Sequence, residues 1–391
     1  MLRIIRLSVV LMLSTLLGLV SCGGGGGDTQ ANGSGVGSGG TGSYTNGPVS
    51  GLGSIIVNNV RYDVNGAQVH RDDDVDDSVM HDPAEVKVGM VVEVNGSGIL
   101  PSPTGSGPSL ATAYTVRYGS SLVGPVSAVD ASTSTITVLG QTVRITAQTV
   151  QPLSLGVNDV VAVYGLANGA GVYEATRIDQ LDASTGTYKI VALVNSVDSQ
   201  ALHLGLNGNL AVSYAAVGLP GGVTRGARVR VWFDATPVNG QWSASRIRVD
   251  QPLVTDRDEA SLEGLITRLP DNGVMLVDGS PVDVSRLSPA LIFTLGERVR
   301  VEGRLQAGVL VATELEDPTA LESEETELYG TVSQLSSQAQ TFVVRGVTVA
   351  YTPSVVEGTL ANNACVEVHG KNYNGSGQLI ATEVDVHSSC N

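Results

Sequence analysis

A short motif returns five times along the chain at a nearly constant interval. It reads Val91-Val92-Glu93-Val94-Asn95-Gly96, then Val160-Val161-Ala162-Val163-Tyr164-Gly165, Arg228-Val229-Arg230-Val231-Trp232-Phe233, Arg298-Val299-Arg300-Val301-Glu302-Gly303 and Cys365-Val366-Glu367-Val368-His369-Gly370. The steps between last residues are 69 (Gly96 to Gly165), 68 (to Phe233), 70 (to Gly303) and 67 (to Gly370). That period is too long for a solenoid repeat and fits a small independent domain. Any fold for this chain must therefore be built from five similar modules.

The second module shows the pattern inside each unit. Val123–Val129, Thr135–Leu139 and Thr142–Ile145 alternate apolar and polar residues, as half-buried strands do. A connector with Pro152 and Gly156 follows, then strands over Asp159–Tyr164 and Glu174–Leu181 joined across Asn168-Gly169-Ala170-Gly171. The motif is thus the fourth strand, with its Gly opening the hairpin to the fifth. In the fourth module Val299 and Val301 face one way and Arg298, Arg300 and Glu302 the other. No stretch carries a long helical stripe. The fold class expected is all-β: five tandem, small, antiparallel, five-stranded, barrel-like (OB-like) modules, because closure removes exposed strand edges. A small sandwich is the alternative. One barrel of this size has a thin core, so neighbouring modules should pack on one another.

Composition agrees. Aromatic residues are 4% of the 391, while glycines number 48. Such a chain suits short Val-rich strands and tight turns. The expected boundaries are 47–119, 120–183, 184–252, 259–317 and 326–391, separated by short polar linkers at 182–186, 252–259 and 317–326. Glu322, Glu324 and Glu325 in the last linker read as a solvated acidic run.

The N-terminus reads as a targeting segment. Arg3 and Arg6 precede an apolar run over Leu7–Gly18, too short to cross a membrane and suited to a signal peptide. It ends in Leu19-Val20-Ser21-Cys22, which resembles a bacterial lipobox. The resemblance implies a signal peptide over 1–21 and a lipidated Cys22 as the new N-terminus. An ordinary signal peptide with a chance cysteine is the competing reading. Several acyl chains anchor stably where one would not. Gly23 follows the cysteine, and the lack of Asp there points, by the same resemblance, to the outer membrane facing the periplasm. Residues 22–46 are Gly/Ser-rich and read as a flexible tether, with a reach of roughly 25–30 Å.

Charge bounds the partners. Removing Arg3 and Arg6 takes 22 basic residues to 20 against 38 acidic ones, a net −18 for the mature chain. That balance repels phosphate backbones, so nucleic acid is excluded as a partner. The partners expected are the membrane, through the lipid anchor, and another envelope protein. With Cys22 assigned to lipid, Cys365 and Cys390 remain for a disulfide in an oxidising compartment. Two free thiols, or pairing between molecules, are the alternatives.

Several residues resemble a known family. Gly51-Leu52-Gly53-Ser54-Ile55-Ile56-Val57-Asn58-Asn59-Val60-Arg61-Tyr62 is similar to the opening of bacterial lipoproteins that carry DUF5666 repeats. So are Val88–Val94, Gly124-Pro125-Val126, Val138–Val143 and Glu174–Ile178. The likeness spans residues 47 to about 388 and is clearest in the first two modules. The third departs most, at Trp232-Phe233. The resemblance implies β-barrel repeats on the cell envelope and no catalytic residues.

Candidate chemistry is sparse. Asp72, Asp73, Asp74, Asp76 and Asp77 form the densest charge, and oxygen clusters can take Ca2+. Asp72, Asp74 and Asp76 fall at positions 1, 3 and 5 of an EF-hand count, but Asp77 replaces the Gly at 6 and Pro83 the Glu at 12. A solvated acidic loop is the preferred reading, and no cofactor is expected. The five histidines, at 70, 81, 203, 369 and 387, show no HxxxH spacing, which argues against zinc. No nucleophile elbow or Walker loop appears. Trp232 and Trp242 are the only tryptophans. If Trp232 sits opposite Ala244, both indoles share one outward face, either as a ligand or partner patch or packed against a neighbouring module. The leading expectation is a non-enzymatic envelope lipoprotein that binds or scaffolds. A divalent-cation- or small-ligand-binding periplasmic module is second, and a hydrolase with an unrecognised site third.

Overall fold

The structure is a computed structural model. It describes residues 42–390, apart from 77, 104, 106, 235–236, 251–254, 288–291, 317–320 and 322–323. Cys22, the signal segment and most of the tether lie outside the described residues, as do Asp77 and Glu322.

Module 1 runs through strands Ser43–Leu52, Ile55–Val57, Val60–Asp63, Val91–Gly96 and Ser109–Tyr118. The first three form an antiparallel meander. The fifth strand then runs parallel to the third, the fourth pairs with the fifth, and the fourth also pairs with the first. That last pairing closes the barrel and leaves no edge. Modules 2, 3, 4 and 5 repeat the same closed order. The expected OB-like barrel is what forms, with the third strand parallel to the fifth in each. Period-two alternation drives it: Val92 and Val94 of module 1, and Val299 and Val301 of module 4, are buried in their barrels.

The strand boundaries of module 2 are Leu122–Asp130, Thr135–Val138, Gln141–Val150, Val160–Ala167 and Val172–Gln180. The fourth strand therefore continues past the motif glycine. Gly165 sits in a β-bulge, as do Gly96, Gly303 and Gly370, each at a register shift between fourth and fifth strands. A Cβ on Gly96 would fall 2.6 Å from the Thr112 carbonyl oxygen, and one on Gly370 2.5 Å from that of Ile380. The glycine is required by close approach of the fifth strand; it does not open the hairpin. Module 3 keeps the bulge with Phe233, whose ring turns into the core.

The barrels are joined by their opening strands. Ser43–Asn46 of module 1 runs parallel to Glu259–Leu262 of module 4, and Gly51–Leu52 pairs in parallel with Glu327–Leu328 of module 5. Module 3 opens with Thr187–Asp198, where Lys189 and Ile190 pair with Val123 and Leu122 of module 2. Residues 43–46, expected in the tether, are thus strand. Along this strand Thr45 turns onto Tyr62 of module 1, its Oγ1 2.7 Å from the Tyr62 hydroxyl, while Tyr44 packs into the core of module 4. The cores follow these joints. One apolar cluster holds Val92 and Val94 of module 1 with Leu328, Phe342 and Val368 of module 5. Another merges modules 2 and 3, and a third belongs to module 4 with Tyr44.

Cys365 and Cys390 form a disulfide, with Cα atoms 5.3 Å apart. It ties the start of module 5's fourth strand to the segment after its fifth.

Candidate functional site

The acidic run of module 1 forms the most elaborate polar site. Strand Gln68–Arg71 lies parallel to the fifth strand, and an isolated bridge between Val69 and His81 closes the loop behind it. Asp74 holds the loop from inside. It accepts from Arg71 Nη2 at 2.7 Å, and its other oxygen lies 2.6 Å from His81 Nε2. Burial pushes the Asp74 carboxyl up, but His81 and Arg71 outweigh it and hold its pKa below the usual range. The same contact with Asp74 raises the pKa of His81.

Asp72 and Asp73 turn the other way, onto module 3. Lys189 Nζ donates to Asp73 Oδ1. Arg230 Nη2 and Arg117 Nη1 each donate to Asp72 at 3.1 Å. Arg246 and Arg248 reach the loop backbone, donating to the carbonyls of Asp73 at 3.0 Å and Asp72 at 2.8 Å. Lys189 is 2% exposed and Arg230 4% exposed, so both cations are buried between modules. Burial lowers the Lys189 pKa to about 8, against the opposing pull of Asp73. Asp73 is pushed up by burial, yet Lys189 and Arg230 bring it below its ordinary value.

The solvated loop expected from the sequence is therefore corrected for Asp72, Asp73 and Asp74, while Asp76 is exposed as expected. The module 3 cations were not anticipated. Their signal is Arg228-x-Arg230 and Arg246-x-Arg248, alternate bases on the non-core face of two strands in a strongly acidic chain. The solvated reading of the last linker is corrected in the same way at Glu324, whose carboxylate accepts from Arg300 at 2.5 and 2.8 Å. Arg300 also donates to Glu263, which is fully buried and shared with Arg298, and Arg298 reaches Glu174 of module 2 at 3.3 Å.

Trp232 is buried under this joint. It pairs across the first strand with Lys189, and the Arg246 guanidinium lies 3.4 Å above its ring centre. Trp242 sits elsewhere, with its ring centre 5.2 Å from Phe233 and 6.0 Å from Tyr188 at the edge of the core. The two indoles do not share a face. A bulge pairs Trp232 with Arg246 and Phe233 with Ala244, one residue off the expected register, and so separates them.

Beside the joint, a cavity of about 590 Å³ lies between modules 1 and 3, lined by His70, Asp72, Glu93, Arg117, Arg248 and Asp250 among others. Burial, reinforced by Asp72 and Asp250, pushes the Glu93 carboxyl up to about 7. A second polar network joins modules 2 and 3. Asn207 donates to Tyr173 Oη at 2.7 Å and to Gln141 at 3.1 Å, and Tyr173 donates to the Val191 carbonyl at 2.6 Å. Modules 2 and 1 meet where Thr176 donates to the Gly89 carbonyl at 2.6 Å.

A family model described as "Domain of unknown function (DUF5666)" matches residues 123–179, 263–316 and 329–385, the barrels of modules 2, 4 and 5. The Gly51–Tyr62 stretch, which looked closest to the family, lies outside the matched residues, as does module 3 with its Trp232-Phe233 ending. No curated protein matches the chain. Among solved structures, drosophila Unr CSD456 is similar at 13% identity, covering 69% of this chain and 97% of that one, with a TM-score of 0.14 that is too low to align the overall arrangements. Modules 2, 4 and 5 belong to the DUF5666 family, and the chain is a DUF5666 repeat protein.

Proposed function

We propose that this chain is a non-enzymatic, lipid-anchored protein of the bacterial cell envelope, held at the outer membrane through Cys22, whose fused barrels form a rigid scaffold for a partner protein. One observation carries the scaffold reading. The polar residues that distinguish the modules are spent on joining them, as Asp72, Asp73, Lys189 and Arg230 do. Five basic side chains surround Asp72 and Asp73 and supply the positive charge that a Ca2+ ion would bring, which disfavours the acidic run as a calcium site. A small-ligand-binding module is the second reading, supported by the cavity of about 590 Å³ beside that joint.

Cell fractionation with palmitate labelling tests the anchor. The native chain should take up label and sediment with the outer membrane, and Cys22→Ser should do neither. A Cys22→Ser chain that stays membrane-bound would contradict the assignment. Affinity capture from solubilised envelope tests the scaffold, with the expectation of a defined protein partner whose recovery falls when Asp72 and Asp73 are both replaced by Asn.

A further inference from the structure

Module 5 carries a second polar face that the joints leave unexplained. Its first strand Thr326–Thr331, fourth strand Cys365–Tyr373 and fifth strand Leu379–His387 lie side by side. Their register sets Glu327 opposite His369, Glu367 opposite Asp385 and Cys365 opposite His387. Two of the five histidines of the chain thus meet around one carboxylate. One ligand atom each from Glu327, Glu367 and His369 lies within 4.8 Å of the others.

The separations matter. His369 Nε2 stands 3.6 Å from Glu367 Oε1, and His387 Nε2 stands 3.4 Å from Glu367 Oε2. Both exceed the roughly 2.7–3.2 Å of a hydrogen bond. Two ligands bound tetrahedrally to zinc at about 2.1 Å stand roughly 3.4 Å apart. Glu367 Oε1 and His369 Nε2, at 3.6 Å, stand close to that spacing, with an oxygen of Glu327 within 4.8 Å of both ligand groups. Glu327 is 8% exposed, and its Oε1 accepts from Arg61 of module 1 at 2.5 Å, which orients the carboxylate as an outer partner of a metal ligand does. The disulfide holds the same corner, since Cys365 pairs with His387 across the strands and Cys390 follows three residues after it.

We propose that module 5 binds a divalent transition-metal ion, with zinc as the best match. Glu327, Glu367 through Oε1, and His369 through Nε2 are its three protein ligands, and at least one position stays open. His387 is a positioning residue whose Nε2 faces the second oxygen of Glu367 at 3.4 Å and biases that carboxylate electrostatically. Imidazole with carboxylate suits zinc better than calcium or magnesium, which favour all-oxygen sites. Strand geometry explains why HxxxH spacing is not needed: residues two apart on a strand, plus one across it, share a face.

Calorimetric titration of Zn2+ into the chelator-washed, detergent-solubilised mature chain tests this. One ion per chain is expected, with His369→Ala weakening binding at least about tenfold and His387→Ala about tenfold. Asp74→Asn, in module 1, should leave the affinity unchanged. Co2+ in place of Zn2+ should give the intense visible absorption of a low-coordinate site, lost in His369→Ala. Thermal melts without metal identify any variant that has failed to fold, and His369→Gln then replaces His369→Ala. No saturable heat, binding in folded His369→Gln equal to the native chain, or loss of binding in Asp74→Asn would each overturn the proposal.

Discussion

Lys189, on the opening strand of module 3, donates its ammonium hydrogen bond to Asp73 of module 1, 116 residues away in the chain. The ammonium has left water for this contact, while Asp73 stays partly exposed. Removing one partner of a buried pair strands the other, at a typical cost of about 3–5 kcal/mol. Asp73→Ala should therefore destabilise the chain by about that amount. Lys189→Met should cost less, because it removes the buried charge itself. The double variant should recover about 1–3 kcal/mol relative to additivity. Hydrogen-exchange protection of the Thr187–Asp198 amides reads all three; strictly additive single effects would show that the contact carries no coupling.

Glu93 sets a pH dependence of definite sign. Its folded pKa is raised from 4.5 to about 7. Between those values the folded chain binds a proton that the unfolded chain has released. Stability from this group is fully present below the unfolded pKa and is lost as pH rises through about 7. Glu93→Gln mimics the protonated form. Relative to the native chain, it should gain about 1–3 kcal/mol at pH 8 and nothing at pH 4.5. Urea unfolding at both values checks this, and an equal effect at the two would place Glu93 in water.

Trp232 and Trp242 should behave as separate probes. In Trp242→Phe the remaining indole lies 5% exposed beneath Arg246, so its fluorescence should resist acrylamide. Trp232→Ala should cost about 3–5 kcal/mol, as for a large buried aromatic. Trp232→Phe keeps a ring face for the guanidinium and should cost less. Ready quenching in Trp242→Phe would restore the outward-facing patch.

The disulfide closes a loop with a sequence separation of 25. Chain entropy gives about 3.5 kcal/mol for a loop of that length. Cys365→Ser with Cys390→Ser should lower the stability of module 5 by about that much, and exchange should quicken first along Cys365–Tyr373. Unchanged protection there would show that the shared core, not the bond, holds the corner.

Local features were legible in the sequence and distant pairings were not. Period-two alternation placed all five strands of module 2 within a few residues, because each strand buries alternate side chains. The cysteine pair followed from compartment and count. The joints escaped because nothing near Ser43 names Glu259 as its partner, and nothing near Asp72 names Arg230. An acidic run and a set of alternating arginines look solvated until the fold stacks one on the other. Trp232 was misplaced by one residue of bulge, which is enough to change faces on a strand. The motif glycine looked like a turn because its true constraint, the Thr112 or Ile380 carbonyl, comes from the neighbouring strand. His369 and His387 are unremarkable in sequence and meet only through antiparallel register.

The central claim is that the barrels form joined units instead of independent beads, and modules 1 and 5 test it most directly. Leu328 is fully buried in the core that module 5 shares with Val92 and Val94 of module 1. Leu328→Ala should cost about 2–5 kcal/mol. Native-state hydrogen exchange is the measurement. A joined unit predicts that protection falls at least about 30-fold both in Thr326–Thr331 and in Val91–Gly96, although more than two hundred residues separate them. Faster exchange confined to residues 326–390, with Val91–Gly96 unchanged, would contradict the account.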